Sequence, residues 1–166
     1  EYKAENIVVD PVMVSTSGGK LLKDNAVDAL INHLFPLAVL ITPNIPEAEN
    51  LAWFSIKCRD DMQKAAEKIS NLTQGAVLIK GGHLEDSADD LLFTAGKTFW
   101  LKSPKIDNPN THGTGCTLSS AIACNLALGL TISESVENAK EYITGAIKAG
   151  LDIGKGRGPL NHCYSL

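Results

Sequence analysis

Neither of the two commonest nucleotide-binding signatures is present. Gly18-Gly19-Lys20 is followed by Leu21, which breaks the P-loop pattern GxxxxGKS/T, and Gly113-Thr114-Gly115 fails GxGxxG because Leu118 occupies the last position. The four cysteines, Cys58, Cys116, Cys124 and Cys163, include no CxxC pair and have no nearby histidine at zinc-like spacing, so neither a metal cluster nor a disulfide framework is expected. A formal net charge of -4, a pI near 5.5 and the lack of any basic run with interleaved aromatics argue against a nucleic-acid surface. No stretch is long and apolar enough to span a bilayer, none reads as a signal peptide, and there is no internal repeat or low-complexity segment. Reduced thiols in a cytoplasm are the expectation.

What is there fits a single domain over residues 1–166. At 166 residues, with 44% hydrophobic and 20% charged, the chain is long enough to bury a substantial core. It opens at Glu1-Tyr2-Lys3 without a methionine and reaches a strand-like run almost at once, so the N-terminus is expected to be a cut.

The stretch on which the rest depends is Asn110-Thr111-His112-Gly113-Thr114-Gly115-Cys116-Thr117, followed by the small, apolar, helix-like run Leu118 to Ala123. The first amides of a helix lack an intrahelical acceptor, the helix dipole puts partial positive charge there, and glycine lets a phosphate approach the backbone. A thiol at such a place has its thiolate form favoured. A second reading stays open on these residues alone: Gly-x-Gly before a helix is common, and a small buried cysteine packs well.

Along the chain, Asn6 to Val9 and Ala38 to Ile41 read as buried strands, the first stopped by Asp10-Pro11. Ser15 to Gly19 reads as a flexible small-residue loop, and Asp24 is placed to cap a helix whose apolar face is Val27, Leu30, Ile31 and Leu34. Asn44 and Glu47 have the spacing of a capping box, a pairing that needs no ligand to explain it. A helix with Met62, Ala65, Ala66, Ile69 and Leu72 on one face stops near Gly75 and delivers a third strand, Ala76 to Ile79, that ends in Lys80-Gly81-Gly82-His83. Strand, helix, strand, helix, strand predicts right-handed crossovers in a parallel sheet. Asp10, the Asn44–Glu47 pair and Lys80 each follow a strand directly, which puts them on the sheet edge where open α/β sheets bind ligands.

Leu91 to Phe93 and Thr98 to Leu101 predict a hairpin about Thr94 to Lys97. Two more helices follow, one through Leu118, Ile122 and Leu126, the other from the capping-box pattern Thr131-x-x-Glu134 with Val136, Ala139, Ile143, Ala146 and Ile147 on one face. Lys155 and Arg157 fall in a glycine-rich stretch that reads as a flexible tail, where solvated basic residues are the ordinary case. Handling a cation and a polyphosphate needs a carboxylate, a positive side chain, bare amides and a group near the nucleophile, and Glu47, Lys80, the Gly113 to Cys116 amides and Cys116 supply these in chain order.

The runs Asp10 to Val14, Thr42-Pro43-Asn44-x-x-Glu47-Ala48, Ile79 to His83 and Asn110 to Ser119 resemble the hydroxymethylpyrimidine/phosphomethylpyrimidine kinases of thiamine biosynthesis, and Gly158 to His162 is similar to that family's ending. The resemblance covers nearly the whole chain. It implies an α/β, ribokinase-like three-layer fold with a mostly parallel central sheet, apparently lacking its N-terminal portion, because nothing here matches the first βαβ part and covering strands of such kinases. The activity implied is ATP-dependent phosphorylation of 4-amino-5-hydroxymethyl-2-methylpyrimidine and then its monophosphate, with Mg2+, in a homodimer. Most ribokinase-like enzymes carry aspartate where Cys116 stands, and the cysteine variant is shared with a related group of pyridoxine kinases. A pyridoxine or pyridoxal kinase is therefore one alternative, and a non-catalytic module that binds nucleotide or a protein partner is another.

Position by position, the resemblance implies that Gly113, Thr114 and Gly115 form the anion hole and that Cys116 is the base toward the substrate hydroxyl. It implies Glu47 as the metal residue, with Asn44 helping to organise magnesium and the water around the phosphates. Lys80, Asn44, Asp10 and His112 are the implied nucleotide contacts, Asp10 also supporting the metal region, and Val12 is the implied wall of the pyrimidine pocket.

Overall fold

A computed structural model describes residues 3–14, 19, 21–82, 88–103, 106, 108, 113–151, 153 and 158–165. Several residues raised by the sequence, among them Ser15 to Gly18, His83, Asn110 to His112, Lys155 and Arg157, lie outside this set. The chain divides into two compact units, Glu1–Pro104 and Lys105–Leu166. Among the described residues no helix is long and apolar enough to cross a membrane.

The first unit is a five-stranded sheet in the order β1 (Val8–Val9), β2 (Leu40–Ile41), β3 (Ala76–Ile79), β4 (Asp90–Thr94) and β5 (Lys97–Leu101). The first three strands are parallel, with Val8 opposite Leu40 and Leu40 opposite Ala76. The last two form the expected antiparallel hairpin, Leu78 facing Leu92 and Leu92 facing Phe99, so the sheet is mixed. β1 and β2 are short as strands, yet parallel pairing runs beyond them: the amide of Val39 bonds the Ile7 carbonyl, Thr42 bonds Val9, and Lys80 bonds Pro43, each at 2.9 Å.

Every residue of β3 is buried, which explains why this stretch reads as a continuous apolar run rather than an alternating one. Val77 and Ile79 belong to the core that also holds Val9, Ile41, the buried face of α2 (Ile45–Ala52) and that of α3 (Arg59–Ile69). Complete burial of Met62 and Ile69 on α3 is worth roughly 1.5–3 kcal/mol each. A 3-10 turn, Ser70–Leu72, closes α3 and packs Leu72 against the same core.

The helix expected after residue 24 takes another form. Lys23, not Asp24, is the cap residue of α1 (Asp24–Ala29), and its carbonyl accepts the amides of Ala26 and Val27. From Leu30 to Leu34 the turn widens to a π-helix, then tightens to a 3-10 turn at Phe35–Leu37. Pro36 accounts for this: it has no N–H to give, and its ring would meet the carbonyl four residues back in a regular α-helix. The Phe35 amide bonds the Leu30 carbonyl and swings the phenyl ring into the core, fully buried.

The second unit is a helical hairpin of α4 (Thr114–Ala127) and α5 (Ile132–Ala149). α4 buries Leu118, Ile122 and Leu126, α5 buries Val136, Ala139, Ile143 and Ala146, and the capping box of Thr131 and Glu134 starts α5 as its spacing predicts. A segment near the C-terminus straps α5: the Asn161 amide bonds the Ala146 carbonyl at 3.3 Å, Tyr142 donates to the His162 carbonyl at 3.0 Å, and the Tyr164 ring lies against Gly145.

Candidate active site

In the first unit the carboxyl ends of β1, β2 and β3 bring four of the expected residues together. Lys80 directs its ammonium to Asp10 Oδ1 at 2.7 Å, and both side chains are largely buried. Thr42 donates to the same oxygen at 3.3 Å. Removing one partner of such a buried pair strands the other charge, at a cost of about 3–5 kcal/mol.

Beside this pair sits Glu47, 2% exposed, with both carboxylate oxygens engaged. Oε2 accepts the Asn44 amide at 2.8 Å, while Asn44 Oδ1 accepts the Glu47 amide at 2.9 Å, so the capping box of α2 is real. Oε1 reaches across 34 residues to accept the Met13 amide at 3.0 Å. The cap is therefore also a strut that ties the Asp10–Val14 segment to the start of α2. Burial pushes the Glu47 carboxyl above its ordinary 4.5, and nearby Asp10 adds to this, while the Asn44 amide and the Lys80 charge pull it back.

Val12 stands inside the strut's reach with φ 46°, a left-handed conformation that is a genuine outlier for a β-branched residue. Its side chain is 46% exposed. Backbone in such a region costs of order 1–3 kcal/mol and persists only where its surroundings enforce it. The bond from Glu47 to the next residue is one such constraint.

In the second unit Gly113 is the cap residue of α4, with φ 82°. Among the described residues a Cβ there would meet nothing within 4 Å, so glycine serves the backbone conformation rather than a close contact. The helix gives the amides of Gly115 and Cys116 no intrahelical acceptor, and Thr117 is the first to bond back, to the Gly113 carbonyl at 2.9 Å. Thr117 and Ser120 hydroxyls donate to the carbonyls of Gly113 and Cys116, each at 2.8 Å. Cys116 is exposed, so the alternative of a packed, buried cysteine is not what this position holds.

Asp10, Asn44, Glu47 and Lys80 thus meet in the first unit, Val12 lies on the segment that Glu47 holds, and Gly113, Thr114, Gly115 and Cys116 form the helix start of the second. His112 is outside the described residues. Sequence reasoning missed Thr42, whose only signal was its place at the end of β2, and the Met13 amide, which side-chain motifs cannot reveal. It also missed Asp89 and Asp90, two buried acids just before the apolar part of β4. Asp90 accepts the Gly81 amide at 2.8 Å, and Asp89 accepts the Ser103 amide at 3.0 Å and pairs with Arg59. Arg59 in turn lies over the Trp100 ring, 4.5 Å from its centroid.

Comparison with known proteins shows the family and the fold. The family described as phosphomethylpyrimidine kinase matches residues 1–161. A hydroxymethylpyrimidine/phosphomethylpyrimidine kinase of Streptomyces coelicolor is 44% identical over 159 residues, 96% of this chain and 59% of that protein. Among solved structures, a phosphomethylpyrimidine kinase of Clostridium difficile superposes with a TM-score of 0.73 at 48% identity, covering 84% of this chain and 56% of that one. A pyridoxal kinase of Staphylococcus aureus in complex with AMP-PCP gives 0.89 at 33% identity, covering 98% and 60%. The chain spans about 60% of the length of the curated pyrimidine kinases it matches. The fold class is ribokinase-like, as expected.

Proposed function

The chain belongs to the phosphomethylpyrimidine kinase family, and from that premise we propose that it supplies the nucleotide-binding part of an enzyme that phosphorylates 4-amino-5-hydroxymethyl-2-methylpyrimidine and then its monophosphate. ATP is the phosphoryl donor, and both units act as one kinase domain in a cytoplasmic homodimer. The single observation that carries this proposal is the cluster at the strand ends, where a buried Lys80–Asp10 pair stands beside the buried carboxylate of Glu47.

Lys80 has three N–H donors, and its bond to Asp10 aims the ammonium rather than leaving it to sweep solvent. So held, it neutralises charge on the nucleotide phosphates. The amides of the Gly113 to Cys116 turn receive the transferred group, where helix-end dipoles favour an anion. Cys116 takes the proton of the attacking hydroxyl. A thiolate is a weak base for an alcohol, so alignment and charge neutralisation carry most of the acceleration, and the proton leaves late.

The donor set fits Mg2+. Among the described residues no three His, Cys, Asp or Glu side chains gather as a metal cage, but two hard carboxylates, Glu47 and Asp10, share the strand-end edge. Magnesium characteristically takes one or two carboxylates and completes its shell with water and phosphate oxygens. Each Glu47 oxygen already accepts an amide, so Glu47 would hold the ion with little direct coordination to spare. When bound, the ion would offset the charge of the phosphates. Asn44 keeps the Glu47 carboxylate in place, His112 adds to the nucleotide contacts, and Val12 forms part of the pyrimidine wall.

The likeness to solved pyridoxal kinases favours one second reading, a pyridoxine or pyridoxal kinase with the same cysteine. ADP release by the full-length protein with each vitamin precursor decides between them. Faster turnover of the pyrimidine is expected; a preference for pyridoxine would overturn the substrate, and tight ATP binding without turnover of either would overturn catalysis.

A further inference from the structure

The structure assigns Asp90 as a positioning residue for Lys80, acting through the backbone of Gly81; this rests on the kinase proposal for its kinetic consequence, though not for its geometry. Lys80 sits where β3 ends, and two backbone bonds hold that end from opposite sides. Its own amide bonds the Pro43 carbonyl at 2.9 Å, and the next amide, of Gly81, bonds the Asp90 carboxylate at 2.8 Å in a buried setting. Between these clamps the Lys80 side chain reaches Asp10 at 2.7 Å.

Gly81 passes so close to the start of β4 that a Cβ would lie 1.8 Å from the Asp89 carbonyl oxygen. No side-chain residue fits there unless β4 moves. The contact brings the Gly81 amide within reach of Asp90, and the charged acceptor makes the bond worth more than an ordinary backbone pair. Asp89 serves the same junction differently: its contacts to Ser103 and Arg59 anchor the hairpin without touching the Gly81 amide. The two neighbouring acids therefore have separable duties, one toward Lys80 and one toward the hairpin.

Substitution in the full-length enzyme separates them. Displacement of a phosphate-binding group by about an ångström costs up to a hundredfold, so Asp90→Ala should lower kcat/KM for ATP by about tenfold to a hundredfold. Asp90→Asn keeps an oxygen acceptor and should stay within about threefold of wild type, and Asp89→Asn should lower Tm while leaving kcat/KM for ATP nearly unchanged. Wild-type-like kinetics in folded Asp90→Ala, equal impairment in Asp90→Asn, or the same kinetic loss in Asp89→Asn would each overturn the assignment. Amide hydrogen exchange on the wild-type protein gives a readout that needs neither catalysis nor a folded variant: Gly81 should be protected to the same degree as Lys80, and a fast-exchanging Gly81 amide would refute the clamp. If wild type turns over no substrate while Gly81 is protected, the kinase proposal fails and the clamp stands.

Discussion

Replacing Glu47 tests the strut most directly, because one side chain there satisfies two amides from distant parts of the chain. Glu47→Ala removes both bonds, each of the kind worth about 1.5–3 kcal/mol when one partner is charged, and it also removes a carboxylate whose burial opposes folding. The net loss should be about 3 kcal/mol, or a fall in Tm of about 6–12 °C. Glu47→Gln keeps one oxygen acceptor but turns an NH2 toward the other amide donor, so about half that loss is expected. The assay is thermal unfolding without ligand, which separates the strut from any part Glu47 plays in turnover. The pH dependence has a definite sign. Burial raises the folded carboxyl above its unfolded value of 4.5, so the stability tied to its protonated form is fully present below 4.5 and is lost as pH rises through the raised folded value. The advantage of wild type over Glu47→Gln should shrink across that window as pH increases. A Glu47→Ala protein that melts within about 1 °C of wild type, less than 0.5 kcal/mol, would refute the reasoning.

Cys116→Ala should lower turnover strongly and leave ATP binding largely intact by calorimetry; full activity would remove the thiol from the mechanism. Gly113→Ala meets no steric obstacle among the described residues but forces a side-chain residue to φ 82°, so a loss of about 1 kcal/mol is expected together with a larger fall in kcat, because the new methyl enters the space over the turn. Glu134 is held below its ordinary 4.5 by the Thr131 hydroxyl and then by the Thr131 amide, so its help to α5 is present above 4.5 and disappears as pH falls through the lowered value. Unfolding curves of wild type and Glu134→Gln should therefore converge on acidification, and curves that diverge would contradict that sign.

Local chemistry was legible wherever it repeats at short range. Asn44 with Glu47 and Thr131 with Glu134 could be read as capping boxes because the partners are three residues apart, and both form. The apolar spacing of Met62, Ala65, Ala66 and Ile69 gave α3 its buried face, and the runs before Asp10, Thr42 and Lys80 gave the parallel strands and hence the edge where the charged residues gather. The widened turn before Pro36 was hidden because Leu30, Ile31 and Leu34 keep a helical spacing that the proline overrides. Long-range bonds to backbone were hidden for another reason. Met13 and Gly81 contribute amides, which every residue but proline possesses, so nothing in their side chains marks them as partners of Glu47 and Asp90.

The awkward backbone of Val12 makes Glu47 answerable for more than its own two contacts. Some of what that carboxylate contributes is consumed in holding a β-branched residue where it would not rest unaided, so the two positions should behave as a thermodynamically coupled pair. A glycine at 12 gives up that tension, so losing Glu47 no longer releases any strain, and the damage done by that loss should then be larger than in the native background. A chain relaxed in this way would tolerate heat better while gripping the proposed pyrimidine less firmly, since the proposed wall would have exchanged stiffness for comfort.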